Sequence, residues 1–232
     1  MNVFPDDNSG YRYERKYATG SLTPFAVEHI IKTHPACFSE IFYSRYVNNI
    51  YLDTFGLKSY FEKINGSPSS IKTRIRWYGE LFGYIANPFL EFKIKRGAMG
   101  KKDSFPLGGF TLDEKLSTGG LMDILRGSKL PDDANVCFPC MELSILNRFS
   151  RKYFLSADKK FRLTVDSGIE YYRIDSSRNM FLNRVPEVNM TVIEIKYDSK
   201  NDDLASGITG GFPFRIFRNS KYINGVENLN LW

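Results

Sequence analysis

Charged side chains stand at every second position in a segment that otherwise has the composition of a β-strand. In residues 90–95, three apolar residues alternate with Glu91, Lys93 and Lys95. Because successive strand side chains point to opposite faces, this segment predicts a strand with one apolar and one charged face. Lysine offers a compact positive charge to an anion, and a carboxylate offers oxygen ligands to a divalent metal.

Four further segments repeat this alternation. Their charged or polar positions are Arg12, Glu14 and Lys16, then Lys72, Arg74 and Arg76, then Arg162, Thr164 and Asp166, and finally Glu194, Lys196 and Asp198. Any antiparallel sheet with one solvated face alternates in this way. Recurrent Arg and Lys favour another interpretation, because like charges on one face repel unless an anion lies between them. The planar fork of arginine fits phosphate, so the set predicts a face that binds phosphate-like anions and a metal.

Cysteine and histidine are too scarce to support other common chemistries. Cys37, Cys137 and Cys140 are odd in number, which does not suit a disulfide framework. Cys137 and Cys140 form a C-x-x-C pair, but a zinc site needs further ligands, and His29 and His34 fall in a predicted helix. We therefore expect free thiols, and neither a Cys–His nor a Ser–His catalytic pair is favoured.

Composition indicates one globular domain with an anionic partner. The 232 residues contain no low-complexity linker or repeat, so a single domain is expected over 1–232. Hydrophobic residues make up 42% of the chain and aromatic residues 15%, which excludes disorder and favours strands. The net charge of +6 suits a polyphosphate, a nucleotide, nucleic acid or an acidic membrane. The basic residues are interleaved with 26 acidic ones, and no nucleic-acid-binding motif is present.

The N-terminal sequence predicts a cytoplasmic protein. Residues 1–7 lack the basic and apolar regions of a secretory signal. No apolar run in the chain reaches the length that a bilayer-spanning helix needs.

Local capping signals predict helices between the strands. Thr23 followed by proline predicts the N-cap of a helix that reaches about Thr33. Thr54 is expected to cap a short helix that ends at Asn65 before a glycine. A helical region broken by two glycines is expected at 111–127.

Further strands are predicted at 46–53, 142–156 and 169–174. Residues 97–102 are rich in Gly and Lys but lack the context of a P-loop, so they predict a flexible basic loop. The total of seven or eight strands with inserted helices defines an α+β fold. Short strands with charged inner faces can close into an antiparallel barrel, and its charged lumen would form a tunnel for an extended anion.

At this point an ordered series of motifs resembles the catalytic domain of the VTC (vacuolar transporter chaperone) family. The series comprises residues 12–17 (RYERKY), 47–54 (VNNIYLDT), 73–79 (TRIRWYG), 90–93 (LEFK), 148–151 (RFSR), 161–166 (FRLTVD), 193–197 (IEIKY) and 220–222 (SKY). The likeness spans nearly the whole chain and is most similar to the stand-alone bacterial form. The family belongs to the triphosphate tunnel superfamily, which includes the CYTH-type triphosphatases.

The resemblance implies an eight-stranded antiparallel tunnel and a metal-dependent polyphosphate polymerase. Such an enzyme transfers the γ-phosphate of ATP to a growing polyphosphate or pyrophosphate acceptor. The residues implied to bind phosphate and support catalysis are Lys16, Arg74, Arg76, Lys93, Arg151, Arg162 and Lys221, with Lys102, Lys196 and Ser220 as additional phosphate contacts. Glu194 is implied to act in catalysis as the ligand of Mn²⁺ or Mg²⁺. This agrees with the charged face, because phosphoryl transfer depends on charge neutralisation and positioning.

One departure bears on the activity. The CYTH branch begins with E-x-E-x-K, whereas this chain has Arg12, Glu14 and Lys16 at those positions. The missing first carboxylate weakens a second metal site and favours a polymerase over a hydrolase. Hydrolysis of tripolyphosphate or nucleoside triphosphates stays open as an alternative, and so does a polyphosphate-binding module without catalysis.

Overall fold

The computed structural model describes residues 11–130, 140–175, 179, 181–217 and 219–232. Within these ranges the chain forms eleven strands and five helices. The strands are β1 Arg12–Thr19, β2 Ser39–Thr54, β3 Ser69–Tyr78, β4 Gly83–Ile85, β5 Phe89–Arg96, β6 Met99–Pro106, β7 Phe110–Leu112, β8 Met141–Leu155, β9 Phe161–Arg173, β10 Arg184–Pro186 and β11 Thr191–Asp198. The helices are α1 Pro24–Lys32, α2 Lys58–Ile64, α3 Thr118–Gly127, α4 Asp202–Gly210 and α5 Lys221–Asn228.

Eight antiparallel strands form a ring. Their order is β9-β11-β1-β6-β5-β3-β2-β8, and β8 pairs back onto β9. Strand β10 adds to β9 outside the ring, and β4 and β7 form a separate two-stranded sheet. The predicted eight-stranded antiparallel architecture of the α+β class is therefore confirmed. In the described ranges, no helix has the length and apolar character needed to cross a membrane.

The outer face of the ring packs under helices, as the alternation predicts. Ile75 and Phe92 belong to an apolar cluster that includes Leu121 of α3. Leu163 and Ile195 belong to a second cluster, which includes Ile31 of α1. Each of these strand residues is at most 1% exposed. Their charged neighbours in sequence therefore face the interior of the ring.

Helix α5 closes one end of this interior. Tyr222 stacks on Tyr51 with ring centroids 5.2 Å apart, and both belong to an apolar cluster with Phe149 and Tyr171. Tyr51 pairs with Arg74 across β2 and β3, which places it on the inward face. Gly225 lies so close to Ile145 and Tyr171 that a methyl group there would collide with both. The helix thus packs against inward-facing side chains rather than on the outside of the ring.

The helix starts agree in part with the capping signals. Thr23 accepts a hydrogen bond from the Ala26 amide and begins α1 as predicted. For α2 the prediction of a Thr54 cap is incomplete, because the N-cap position is Leu57, in a left-handed conformation. The Thr54 hydroxyl does accept from the Lys58 amide at 3.1 Å, while the Asp53 carboxylate accepts from the next two amides, at 3.0 and 3.2 Å.

Three expectations about local structure are wrong. Residues 97–102 do not form a loop, because Gly97 has a φ of 57° and turns the chain directly from β5 into β6. The helix expected at 111–127 begins only at Thr118, after β7, and its two glycines lie in the first turn. The strands expected at 160–166 and 169–174 are one continuous β9, which passes Gly168 with a φ of 58°.

Candidate functional site

The interior of the ring contains interleaved cations and carboxylates from most of its strands. The cations are Lys16, Lys72, Arg74, Arg76, Lys93, Lys102, Arg151, Lys196 and, from α5, Lys221. The carboxylates are Glu14, Glu91, Asp166 and Glu194. The cations outnumber the carboxylates, so the lumen has a positive balance before any ligand enters.

Glu91 lies at the centre of the first group. Its carboxylate accepts from Arg74 Nη2 and from Lys102 Nζ, each at 2.7 Å, and Arg76 Nη1 lies 3.5 Å away. The residue is 2% exposed. Burial by itself would raise the pKa of Glu91, but the neighbouring arginines and lysine outweigh burial and lower it. Glu91 is therefore anionic and holds the two arginine side chains in place.

Asp166 organises the second group. Arg151 donates from Nε at 2.5 Å and from Nη2 at 2.6 Å, which is the paired geometry of an arginine–carboxylate fork. Lys221 Nζ also lies 2.5 Å from Oδ2 of the same carboxylate. Burial opposes ionisation of Asp166, yet Arg151 and Lys221 lower its pKa. This fully buried carboxylate therefore connects the ring to helix α5.

Glu14 and Glu194 form the third group around one lysine. Lys16 Nζ lies 3.2 Å from Glu14 Oε1 and 3.1 Å from Glu194 Oε1. Lys93 Nζ is 3.1 Å from Glu14 Oε2, and Lys196 Nζ is 3.6 Å from Glu194 Oε2. Burial would raise both carboxyl pKa values, but the surrounding cations lower them. Two anionic carboxylates therefore face the lumen side by side.

Lys72 and Lys93 lack enough negative charge around them. Lys72 Nζ donates to Ser220 Oγ at 2.8 Å, a neutral partner. Burial, followed by repulsion from Lys16 and Lys93, lowers the pKa of Lys72 to about 7. Burial also lowers the pKa of Lys93 to about 7, although Lys93 contacts Glu14. An anion that entered the lumen would relieve the cost of charging both lysines.

Most of the residues predicted as site members converge in this lumen. Those brought together are Lys16, Arg74, Arg76, Lys93, Lys102, Arg151, Glu194, Lys196, Ser220 and Lys221. Arg162 differs, because it is exposed beyond Thr164 and Asp166 at one end of β9. Its register partners are Lys196 and Leu155, so it lies at the rim of the ring rather than among the buried ion pairs.

Several lumen residues were not predicted as site members. Lys72, Glu91 and Asp166 stand in the alternating segments, so the strand pattern contained the signal for each of them. Asn49 accepts from Arg76 Nε at 2.8 Å and donates to Asn147 at 2.7 Å, which orients the guanidinium. A neutral amide has no comparable signal in the sequence, and only the cross-strand register reveals its role.

The described part of the chain contains no cluster of three or more His, Cys, Asp or Glu side chains that could hold a metal by themselves. Cys140 is free and exposed, and Cys137 lies outside the described residues. His34 packs on Phe212 with ring centroids 4.3 Å apart and contacts the Ile208 carbonyl, which is a core role. Glu14 and Glu194 fit a divalent ion in a different way, because Mg²⁺ and Mn²⁺ are commonly held by one or two carboxylates together with substrate phosphates.

An eight-stranded antiparallel ring with buried Arg, Lys and Glu side chains in its lumen defines a triphosphate tunnel domain. The family model described as the VTC domain matches residues 11–230, and the chain belongs to that family. No curated protein matches the chain.

Solved structures show the same fold at low sequence identity. A protein from Vibrio parahaemolyticus named as a candidate adenylate cyclase matches with a TM-score of 0.51 at 11% identity, over 93% of this chain and 98% of that one. A candidate adenylyl cyclase from Hippeastrum, described as having a dominant triphosphatase activity, matches with a TM-score of 0.49 at 14% identity, over 91% and 93%. A candidate adenylate cyclase from Bacillus halodurans matches with a TM-score of 0.44 at 13% identity, over 93% and 97%.

Proposed function

We propose that this protein is a metal-dependent polyphosphate polymerase that uses ATP. The observation that supports the proposal best is the excess of cations over carboxylates inside one ring of strands, including two lysines that have too little negative charge around them. A condensed phosphate chain carries a negative charge on every phosphate, so it complements such a lumen. Phosphoryl transfer is accelerated mainly by neutralising and aligning these phosphates.

The roles proposed for the side chains follow from their contacts. Arg74, Arg76 and Lys102 already share Glu91, so they form a preorganised group that can bind phosphate oxygens from one side. Arg151 and Lys221 are held by Asp166 on the other side. Because the carboxylates hold these cations in place, little side-chain entropy is lost when a polyanion enters.

A divalent metal ion would complete the site. Glu194 is the proposed ligand, with Glu14 beside it, and Mn²⁺ and Mg²⁺ are both suited to carboxylate and phosphate oxygens. When bound, the ion would neutralise charge on the substrate phosphates.

The proposed reaction needs no nucleophilic side chain from the protein. A terminal oxygen of the acceptor phosphate forms a new bond to the γ-phosphorus of ATP. The bond from that phosphorus to the β,γ-bridging oxygen breaks, and ADP leaves with the electron pair. The proposed task of Arg74, Arg151 and Lys93 is to hold the donor and acceptor phosphates in line against their mutual repulsion.

A product assay tests this function. Purified protein is incubated with ATP and Mn²⁺, with and without pyrophosphate as primer, and the products are separated on a polyacrylamide gel. A ladder of polyphosphate that grows with time is the expected result. A matched incubation with the Glu194→Gln variant controls for a contaminating kinase. Tight tripolyphosphate binding without turnover under any metal condition would contradict the polymerase and favour a binding module.

Helix α5 favours a second candidate, a hydrolase of tripolyphosphate or nucleoside triphosphates. The helix occupies one end of the lumen, so a substrate enters and its product leaves through the other end. A short triphosphate suits such a blind site more easily than a long chain does. The same gel separates the two candidates, because a hydrolase releases only ADP and orthophosphate and produces no ladder.

A further inference from the structure

An aromatic cluster surrounds an arginine at the end of the ring opposite α5. The guanidinium carbon of Arg45 lies 4.5 Å from the ring centroid of Tyr78, 4.9 Å from that of Tyr153 and 5.7 Å from that of Phe42. The rings of Phe42 and Tyr153 also meet edge to face at 5.8 Å. We call Phe42, Arg45, Tyr78 and Tyr153 the mouth cluster.

The mouth cluster continues the inward face that holds the phosphate-like site. Arg45 is the register partner of Arg151 across β2 and β8, so their side chains share one face of the sheet. Tyr153 lies two residues beyond Arg151 on β8, a step of about 7 Å along the strand on the same face. A ribose can bridge that step. A nucleotide with its phosphates at Arg151 would therefore bring its base to Tyr153.

Exposure distinguishes this cluster from the rings that build the core. Phe42 is 54% exposed and Tyr78 is 41% exposed, whereas Tyr51 and Phe149, further inside the ring, are 5% and 1% exposed. A ring that only stabilised the fold would contribute more if it were buried. The mouth cluster leaves aromatic faces in contact with solvent at the entrance to a cationic lumen.

We propose that the mouth cluster binds the base of a nucleoside triphosphate whose phosphates lie in the lumen, which rests on the proposed function. Every nucleobase has a flat π face that can stack on tyrosine or on a guanidinium plane. Such stacking is tolerant of base identity, so the cluster would admit purine and pyrimidine nucleotides alike. Inorganic polyphosphate has no such face and gains nothing from the two tyrosines.

The test compares two ligands that differ in the base. Dissociation constants for ATP and for tripolyphosphate are measured by calorimetry on the wild-type protein, on Tyr78→Ala and on Tyr153→Ala. Loss of one stacking surface is expected to weaken ATP binding by about tenfold and to leave tripolyphosphate binding within about twofold. Tyr78→Phe and Tyr153→Phe keep the ring and should bind ATP like the wild type. Tyr84→Ala, which removes a tyrosine that is 73% exposed on the separate two-stranded sheet, is the matched control.

The outcomes separate this proposal from the function on which it rests. Equal weakening of ATP and tripolyphosphate would overturn the base site, because the tyrosines would then act on the phosphates. Unchanged ATP binding in both alanine variants would overturn it as well. A wild-type protein that binds no tripolyphosphate would refute the phosphate site itself and the base site with it. Thermal unfolding of each variant verifies that the fold is retained.

Discussion

Lys221, the first residue of α5, donates to the Asp166 carboxylate that Arg151 also binds. The carboxylate is fully buried, and its two cationic partners come from residues 15 and 55 positions away in the chain. This contact fastens the helix that closes one end of the lumen to the strands that line it. The stability of the protein and the charge of its site therefore depend on the same three side chains.

Replacing Asp166 with asparagine should destabilise the protein strongly. The change leaves Arg151 without its ionic partner in a buried position, and a broken buried ion pair costs about 3–5 kcal/mol of unfolding free energy. Lys221→Met should cost less, about 1.5–3 kcal/mol, because Asp166 keeps both bonds from Arg151. Urea unfolding measures both losses. Equal losses in the two variants would contradict this ranking.

Glu194→Gln should abolish turnover while it preserves binding. The substitution retains the shape of the side chain and removes the charge that a divalent ion needs. Metal-free tripolyphosphate should bind as tightly as in the wild type or more tightly, because one repulsive charge has been removed. Activity assays with Mn²⁺ and calorimetry without metal are the measurements. Full metal-dependent activity in this variant would show that Glu194 is not the metal ligand.

Arg74→Ala should weaken binding itself. Loss of a charge-assisted contact to phosphate is expected to cost about 1.5–3 kcal/mol of tripolyphosphate binding energy. Arg173→Ala provides the matched control, since Arg173 is a half-exposed arginine that contacts Asp175 at the end of β9. An equal effect of both substitutions on affinity would indicate only a loss of general positive charge.

Binding of tripolyphosphate should take up protons near pH 8. Burial lowers the pKa of Lys72 and of Lys93 to about 7, so both are mostly neutral in the free protein at that pH. A bound polyanion raises both pKa values, so the affinity should fall as the pH rises from 7 to 9. Calorimetry in buffers of different ionisation enthalpy measures the uptake, and Lys72→Met should reduce it. No dependence on the buffer would contradict the lowered pKa values.

The same lysines set the sign of a stability effect in the free protein. An unfolded lysine has a pKa of about 10.4, so between pH 7 and about 10 the unfolded state binds more protons than the folded state. This contribution makes the free protein more stable as the pH rises through that window. Saturating tripolyphosphate should reduce the slope, because it restores the positive charge of the folded lysines. Urea unfolding at pH 7 and pH 9, with and without ligand, tests the sign.

Gly225→Ala should destabilise the contact between α5 and the ring. The added methyl group would collide with Ile145 and Tyr171, and overpacking of this kind costs about 1–3 kcal/mol. Gly207→Ala is a control with the opposite sign. Gly207 is an exposed interior residue of α4 with open space around it, so alanine there should stabilise the helix by about 0.5–1 kcal/mol. Destabilisation by both changes would point to a cause other than packing against the ring.

Much of the fold and the inner face follows from local sequence. Alternation placed Arg74 and Arg76 on one side of β3, and the outward position of Ile75 between them agrees with the structure. The period of two is a property of an extended backbone and needs no knowledge of neighbours. The helix that begins after Thr23 was predictable for the same reason, because its cap lies within a few residues.

Tertiary structure decided how the charges pair and which of them are buried. Glu91 binds Lys102 only because Gly97 turns β5 into β6, a hairpin whose second strand has no strong local pattern. Arg151 and Arg162 were predicted to have the same role, yet the register of β8 and β9 buries the first and exposes the second. Position along a tilted barrel depends on register with distant strands, and no local pattern contains that information.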